Sequence, residues 1–299
     1  MSLLVVGSIA FDSIETPNGS VNDALGGSAT FFSVAASFFT TPRLVGVVGD
    51  DFPDQHRRLL AERRIDLEGL VTQPGKTFRW KGRYHQDMNT RDTLEVHLNT
   101  FGTFDPVLPE RFRDSTHVFL ANGSPVLQSK VLDQVRSPKL VMADTMDLWI
   151  ETQHDELCAL LPRLDGLLLN DSEARLLTGQ DNMVLAGQAV RGLGPKFVII
   201  KKGEHGAMLF SHDGVFIMPA FPTAEVVDPT GAGDSFAGGV MGYLDSDDTP
   251  PPGRLRRAMA YGTVVASLAV EGFGLESLKR ADRGRIEERV EKYRAMLAF

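Results

Sequence analysis

The sequence predicts an α/β fold, a three-layer α/β/α sandwich whose central sheet is mostly parallel. Short runs rich in Val, Ile and Leu recur along the chain, and the clearest are residues 3–10, 43–49, 117–121, 139–143, 166–170 and 196–202. The longer segments between them carry apolar residues at spacings of three and four, which is typical of half-buried helices. Strands that alternate with helices form parallel sheets covered on both faces.

The predicted helices follow this alternation. They are residues 28–39, 54–64, 126–135 and 151–164, and then 232–244, 253–270 and 283–298 after two further strands at 207–211 and 215–219. No tract rich in Pro, Gly and Ser divides the chain, and α/β folds of this size are often single domains. We therefore expect one domain spanning residues 1–299.

Two segments depart from the alternation. Residues 11–24 are polar and rich in turn formers, and residues 77–101 alternate as a β-hairpin does around the turn-forming residues 87–90. We expect a small β-sheet outside the main fold, with lid segments at about 11–24 and 74–104. It either covers a site or is an ornament at the edge. Its exposed edge would also allow a homodimer.

Composition bounds the class of protein. The 299 residues are 42% hydrophobic and 23% charged, as in a soluble globular protein, and the net charge of -8 argues against nucleic acid as the main partner. The single cysteine, Cys158, excludes an internal disulfide and indicates a reducing compartment. No run approaches the roughly 20 apolar residues of a membrane span, and no basic segment of a signal peptide precedes the first apolar run. We expect a cytoplasmic protein without a membrane partner.

The most informative stretch is VVDPTGAGDSFAGG, residues 226–239. Gly231 and Gly233 allow a tight turn, and a helix that begins there directs unpaired N–H groups and the positive end of its dipole at one point. That point favours an anion. Asp234 in the first turn is placed to take a proton from a hydroxyl that attacks the anion, so the stretch indicates phosphoryl transfer.

Three other interpretations stay open at this point. Asp234 can simply cap a helix after a glycine turn. Residues 233–237, GDSFA, resemble a G-x-S-x-G nucleophile elbow with Ser235 as the attacking group, although the final glycine is missing and no histidine follows. The third is a ligand sensor that binds nucleotide or sugar without catalysis.

Residues 167–179 predict a buried strand that runs into a helix, with Asn170 and Glu173 at the junction. Their spacing is that of a capping box. Phosphoryl transfer from a nucleotide also needs a hard cation held through few carboxylates, so the same residues are candidates for Mg²⁺. The sequence has no Walker A motif and no complete dinucleotide fingerprint, and its seven histidines lack metal-ligand spacing.

Residues 228–239, DPTGAGDSFAGG, resemble the C-terminal signature of the ribokinase-like (phosphofructokinase B, PfkB) family of carbohydrate and nucleoside kinases. NDSE at 170–173 is similar to the N-x-x-E motif of that family. GSIAFD at 7–12 resembles its first strand with a substrate-binding Asp, and GGSAT at 26–30 resembles its paired-glycine turn. The matches follow the family order and span nearly the whole chain.

The resemblance implies an ATP-dependent kinase that transfers the γ-phosphate to a primary hydroxyl of a ribosyl or sugar-like ring. It also implies Mg²⁺ and a monovalent cation such as K⁺, whose ligands the sequence does not assign. The expected residues are Asp234 as the base with Gly231, Ala232 and Gly233 as the anion hole; Asp12, Gly27, Phe31 and Arg91 for the acceptor; Asn170, Gly203, Thr230 and Gly233 for the nucleotide; and Asn170 and Glu173 for the metal.

Departures from the family pattern bear on the acceptor. The family carries Asn where Ala10 and Phe31 stand, so two sugar contacts are lost. Phe11, Phe31 and Phe32 instead add aromatic surface, which suits a nucleobase unless these rings pack in the core. We interpret the pattern as favouring a nucleoside acceptor over a free sugar such as ribose or fructose.

Overall fold

Thirteen strands are found in the residues that the computed structural model describes, 1–246 and 253–298. They are β1 (Leu3–Val6), β2 (Ala10–Thr16), β3 (Gly19–Gly26), β4 (Arg43–Val48), β5 (Asp66–Thr72), β6 (Phe78–Tyr84), β7 (Arg91–His97), β8 (His117–Leu120), β9 (Leu140–Asp144), β10 (Gly166–Asn170), β11 (Phe197–Lys201), β12 (Ala207–Ser211) and β13 (Gly214–Met218). Nine of them form a central sheet in the order β13-β12-β11-β10-β9-β8-β1-β4-β5. The β11–β12 and β12–β13 pairs are antiparallel and the other described strand pairs of this sheet are parallel, which confirms the predicted mostly parallel sheet.

The described residues also form eleven α-helices. They are α1 (Ser28–Ala36), α2 (Asp54–Glu62), α3 (Pro125–Leu132), α4 (Asp147–Thr152), α5 (His154–Leu160), α6 (Asp171–Thr178), α7 (Met183–Gly192), α8 (Ala232–Ser246), α9 (Arg254–Ala269), α10 (Glu276–Arg280) and α11 (Arg283–Leu297). None of the helices in residues 1–246 and 253–298 combines the length and apolarity needed to cross a membrane.

Two hydrophobic cores, one on each face of the central sheet, make the fold three-layered. Alternate residues of β1 enter different cores: Leu3 and Val5 join α1, α2 and α8–α11, whereas Leu4 and Val6 join α3 and α5–α7. All four β1 residues are 0–1% exposed. A parallel strand buried on both faces explains the continuous apolar run in the sequence.

The remaining four strands form a small sheet in the order β3-β2-β6-β7, which confirms that residues 11–24 and 77–101 build a sheet apart from the main one. The hairpin turn lies at residues 85–90, as predicted from residues 87–90. The predicted strand at 3–10 is divided, because β1 ends at Val6 and β2 begins at Ala10. At the division Gly7 packs so closely on Ala121 that an added Cβ would lie 2.7 Å from the Ala121 Cβ.

Other predicted boundaries shift by a few residues. The helix expected at 151–164 is two helices, α4 and α5, because Gln153 between them has a non-helical backbone (φ -138°, ψ 43°). The helix expected at 28–39 ends at Ala36. The expected domain, 1–299, includes residues 247–252 and 299, which lie outside the described part of the chain.

Candidate active site

The candidate site lies at the carboxyl ends of three neighbouring strands. Asp144 ends β9, Asn170 ends β10 and Lys201 ends β11, and Asn170 is the register partner of Lys201. Lys201 Nζ donates to Asp144 Oδ2 at 2.8 Å. Ligands of open α/β sheets bind outside the carboxyl ends of the strands, so this edge is the expected place for chemistry.

Helix α8 begins at the same edge. Gly231 precedes it with a φ of 73°, and the amides of Gly231 and Gly233 have no hydrogen-bond acceptor among residues 1–246 and 253–298. Ala232, expected to share in the anion hole, already donates its amide to Pro229 O at 3.1 Å. A Cβ added to Gly233 would lie 3.1 Å from Lys201 Nζ. The start of α8 therefore presents two free amides beside an ammonium group, an arrangement that binds anions.

Asp234 lies in the first turn of this helix. The pKa of its carboxyl is raised to about 6, mainly by burial and also by Asp144, against the lowering effects of Lys201 and Arg91. A carboxylate whose pKa lies near neutrality suits general-base catalysis. Its position beside the free amides makes Asp234 a candidate base for a hydroxyl that attacks a bound anion.

Asn170 and Glu173 form the capping box that their spacing predicts. Glu173 N donates to Asn170 Oδ1 at 2.7 Å, and Asn170 N donates to Glu173 Oε2 at 2.6 Å. The pKa of Glu173 is raised to about 7, mainly by burial and also by Asp144, against the lowering effect of Lys201. The cap uses only one carboxylate oxygen, so Glu173 Oε1 is free of hydrogen bonds within the described residues.

The side-chain oxygens of Asn170 and Glu173 suit Mg²⁺, which keeps several waters, better than a metal whose ligands all come from the protein. No group of three or more His, Cys, Asp or Glu side chains in the described chain is arranged to hold a metal ion. Mg²⁺ keeps several waters and is usually bound through one or two carboxylates and substrate phosphates. One buried carboxylate with a free oxygen, within electrostatic reach of Lys201 at the start of α8, meets that requirement.

Asp12 and Gly27, which the sequence predicts to contact the acceptor, lie together. Gly27 N donates to Asp12 Oδ2 at 3.3 Å, and Gly27 has a φ of 92°. The pKa of Asp12 is raised to about 7, mainly by burial and also by Asp228 and Asp234, against the lowering effect of the Gly27 amide. Asp12 therefore lies near enough to Asp228 and Asp234 for their charges to act on its carboxyl.

The small sheet meets the loop before α8. Thr230 Oγ1 donates to Tyr84 OH at 3.3 Å, and Thr230 N donates to Asp228 Oδ1 at 2.8 Å. Arg91, paired with Tyr84 in the hairpin register, lies 5.9 Å from the ring centroid of Trp80. Arg91 and Thr230, expected to bind different substrates, are thus joined through Tyr84.

Gly203 lies farther along the same edge, in the turn between β11 and β12. Its φ is 53°, and an added Cβ would lie 2.5 Å from Asn89 Oδ1 of the hairpin turn. Asn89 also donates to Glu204 Oε1 at 3.3 Å. The hairpin turn of the small sheet therefore rests on the segment that the sequence associates with the nucleotide.

Phe31 is placed differently from the expectation. It is 1% exposed, and its ring packs against Gly231, so it supports the loop from the core instead of offering a face to the acceptor. Phe11 and Phe32 are 5% and 0% exposed, and Phe32 stacks on Phe119. The core-packing interpretation holds for all three rings. Ser235 is 0% exposed, which removes the basis for a nucleophile elbow.

Sequence reasoning missed Asp144, Lys201 and Trp80. Asp144 and Lys201 each end a buried run, and a polar residue at the end of a predicted parallel strand is the signal that would have identified them. Trp80 is the register partner of Asp12 in the parallel pair β2–β6, so both side chains face the same side of the small sheet. No local pattern in the sequence announces that pairing.

Comparisons with known proteins agree with this geometry. Residues 2–281 match the profile of the pfkB family carbohydrate kinases. The chain belongs to this family. It is therefore a phosphotransferase of the class that acts on an alcohol group. A cytidine kinase of Thermococcus kodakarensis is 30% identical over 81% of this chain and 88% of its own length.

Two solved structures show the same fold. A ribokinase II from Escherichia coli, in complex with ATP and Mg²⁺, superposes with a TM-score of 0.80 at 22% identity, covering 97% of this chain and 99% of its own. An aminoimidazole riboside kinase from Salmonella enterica, complexed with its riboside and an ATP analogue, gives 0.78 at 20% identity, covering 97% and 100%. Both likenesses confirm the ribokinase-like fold, with its small additional sheet, for this pfkB-family kinase.

Proposed function

We propose that this kinase transfers the γ-phosphate of ATP to a primary hydroxyl of a nucleoside, with Asp234 as the general base. The observation that supports it best is the start of α8, where the Asp234 carboxyl adjoins the free amides of Gly231 and Gly233. Preorganised N–H groups stabilise charge that develops on a transferred phosphoryl group. Asp234 takes the proton of the attacking hydroxyl.

Asp12 positions the acceptor in this proposal. Its carboxyl accepts hydrogen bonds from ring hydroxyls, with Gly27 fixing the carboxyl from behind. The electrostatic interaction between Asp12 and Asp234 supports a position of the bound ring next to the base. Holding the acceptor in this orientation lowers the activation free energy, because the entropy of bringing the reacting groups together is already lost on binding.

The nucleotide lies along the strand ends, with Thr230, Gly203 and Asn170 as contacts. Glu173 Oε1 and Asn170 would hold Mg²⁺, which would supply positive charge to neutralise the phosphates. A monovalent cation such as K⁺ belongs to the same proposal, and comparing turnover in potassium and in choline buffer tests it.

A cytoplasmic location fits an enzyme that consumes ATP and carries one cysteine.

A nucleoside is favoured as the acceptor by the cytidine kinase likeness and by Trp80. The indole shares a face of the small sheet with Asp12, at a partly exposed position, so an aromatic platform adjoins the carboxylate that holds ring hydroxyls. Nucleobases stack on such platforms. A free sugar such as ribose is the second candidate, supported by the ribokinase likeness in fold.

A screen of ADP release with cytidine, other nucleosides, ribose and fructose tests the proposal. Cytidine or another nucleoside should give the highest kcat/KM. Asp234→Asn should lower turnover by about 10²–10⁴-fold while ATP still binds. Asp213→Asn, in an exposed turn, is the matched control. Binding of ATP and acceptors without any phosphorylated product would instead support a sensor.

The small sheet acts as a lid in this proposal, within a single domain spanning residues 1–299. Its hairpin should gain protection from hydrogen exchange when acceptor binds. A homodimer through β7 completes the proposal: no described strand pairs with the outer edge of β7, and Leu94 and Val96 are 40% and 50% exposed. Leu94→Lys should then yield monomers in sedimentation, and a wild-type monomer would exclude the dimer.

A further inference from the structure

Lys201 occupies a position that the mechanism above leaves unused. Its side chain, 18% exposed, ends between Asp144 and the first turn of α8. Burial lowers the pKa of its ammonium group, but Asp144 and Glu173 outweigh that effect and raise it above the ordinary value. The group is therefore a permanent cation in the middle of the candidate site.

The Lys201 ammonium group can donate more hydrogen bonds than it makes within the described residues. It carries three hydrogens, and within residues 1–246 and 253–298 only one of them is used, in the bond to Asp144 Oδ2. Nζ also lies beside Gly233, whose amide lacks an acceptor in the same described residues. An ammonium group on β11 and a backbone amide on α8, both donors that bind anions, therefore lie side by side.

We propose that Lys201 is a catalytic residue that binds the terminal phosphate of the nucleotide together with the amides of Gly231 and Gly233. The inference rests on the proposed ATP chemistry and is independent of which acceptor is used. When the γ-phosphoryl group leaves ADP for the acceptor hydroxyl, its oxygens stay within reach of the ammonium and the amides. Lys201 therefore stabilises the charge that spreads over those oxygens in the transition state.

A purely structural role for Lys201 is the competing explanation. Asp144 is 4% exposed, and a buried carboxylate without its cation is costly. Lys201 would then serve only to neutralise Asp144. The two explanations differ when both charges are removed together, because a neutraliser is no longer needed once Asp144 is Asn.

The test measures binding of MgADP and of a non-hydrolysable MgATP analogue by calorimetry, in the absence of acceptor. The ratio of the two dissociation constants isolates the contribution of the γ-phosphate. Hydrogen bonds to charged groups contribute about 1.5–3 kcal/mol, so Lys201→Met should weaken the analogue by about 10- to 100-fold and leave ADP nearly unchanged. Lys201→Arg should recover part of the preference.

The control variants separate the outcomes. Asp144→Asn should keep the preference for the analogue, and Asp144→Asn combined with Lys201→Met should lack it. Recovery of the preference in the double variant, its survival in Lys201→Met, or its loss in Asp144→Asn would each overturn the proposal. If the wild-type protein binds neither nucleotide, the proposed function fails as well, and that result is distinguishable from a failure confined to Lys201.

Discussion

The ring of Phe31 lies directly against the α-carbon of Gly231, so that a Cβ at position 231 would overlap it. Helix α1, through Phe31, thereby fixes the position of the loop that precedes α8. Gly231 also has a φ of 73°, a conformation that side chains with a Cβ rarely adopt. Packing and backbone geometry both require glycine here.

Gly231→Ala should therefore destabilise the protein and impair catalysis. The left-handed backbone and the overlap with Phe31 together cost about 2–4 kcal/mol, which urea unfolding measures. Gly192→Ala is the matched control, because nothing lies within 4 Å of its added Cβ and φ is ordinary. That change should be neutral or stabilising by up to about 1 kcal/mol. Equal stability of the two variants would contradict the role assigned to Phe31.

Asp12 should make stability depend on pH. Its folded-state pKa of about 7 lies above the unfolded value near 3.8, so the folded protein loses stability as pH rises between these values. One pKa unit corresponds to about 1.4 kcal/mol, and the full effect can reach about 4 kcal/mol. Asp12→Asn removes this dependence, so its gain in unfolding free energy over wild type should be larger at pH 8 than at pH 5. A gain that is equal at both pH values would exclude this cause.

The sequence was sufficient for the features that are local. The glycine loop, Asp234 and the Asn170–Glu173 cap each lie within a few consecutive residues, so their geometry follows from turn and capping rules. The alternation of buried runs and helices likewise fixed the parallel sheet.

Features that depend on register were beyond the sequence. Lys201 meets Asp144 only because β9, β10 and β11 are neighbours in the sheet, and Trp80 faces Asp12 only because β2 pairs with β6 in parallel. The direction of Phe31 on α1 is decided by the helix it packs against. The presence of phenylalanines near a motif therefore did not show whether their rings bind a ligand or pack in the core.

Arg91 should keep the acidic limb of the pH–rate profile at a lower pH than it would otherwise have, because it lowers the pKa of Asp234. The pKa of Asp234 is raised to about 6 by burial and by Asp144, and it is lowered by Lys201 and Arg91. As a base, Asp234 must be deprotonated, so kcat/KM should rise with pH up to about 6 and then level off. Arg91→Met should move this limb to higher pH. Arg83→Met is the control, because Arg83 pairs with Glu15. An unmoved limb in Arg91→Met would show that another group is titrating.

Trp80 should decide between nucleoside and free sugar. Gly82 lies beneath the indole, and a Cβ there would overlap it, so the ring lies flat along the inner face of the small sheet. A base stacked on an aromatic side chain contributes about 1–3 kcal/mol. Trp80→Ala should therefore lower kcat/KM for the preferred nucleoside by about 5- to 100-fold and leave that for ribose nearly unchanged, because ribose has no base to stack.

Two comparisons make this test specific. Lys81→Ala removes the neighbouring side chain, which pairs with Glu95 on the opposite face, and should affect neither substrate. Trp80→Phe keeps an aromatic face and should restore most of the nucleoside activity. Equal losses for nucleoside and ribose in Trp80→Ala would mean that the indole supports the small sheet and not the base. A selective loss would instead mean that the aromatic recognition surface lies on the small sheet, beside Asp12, and that the phenylalanines of α1 serve the core.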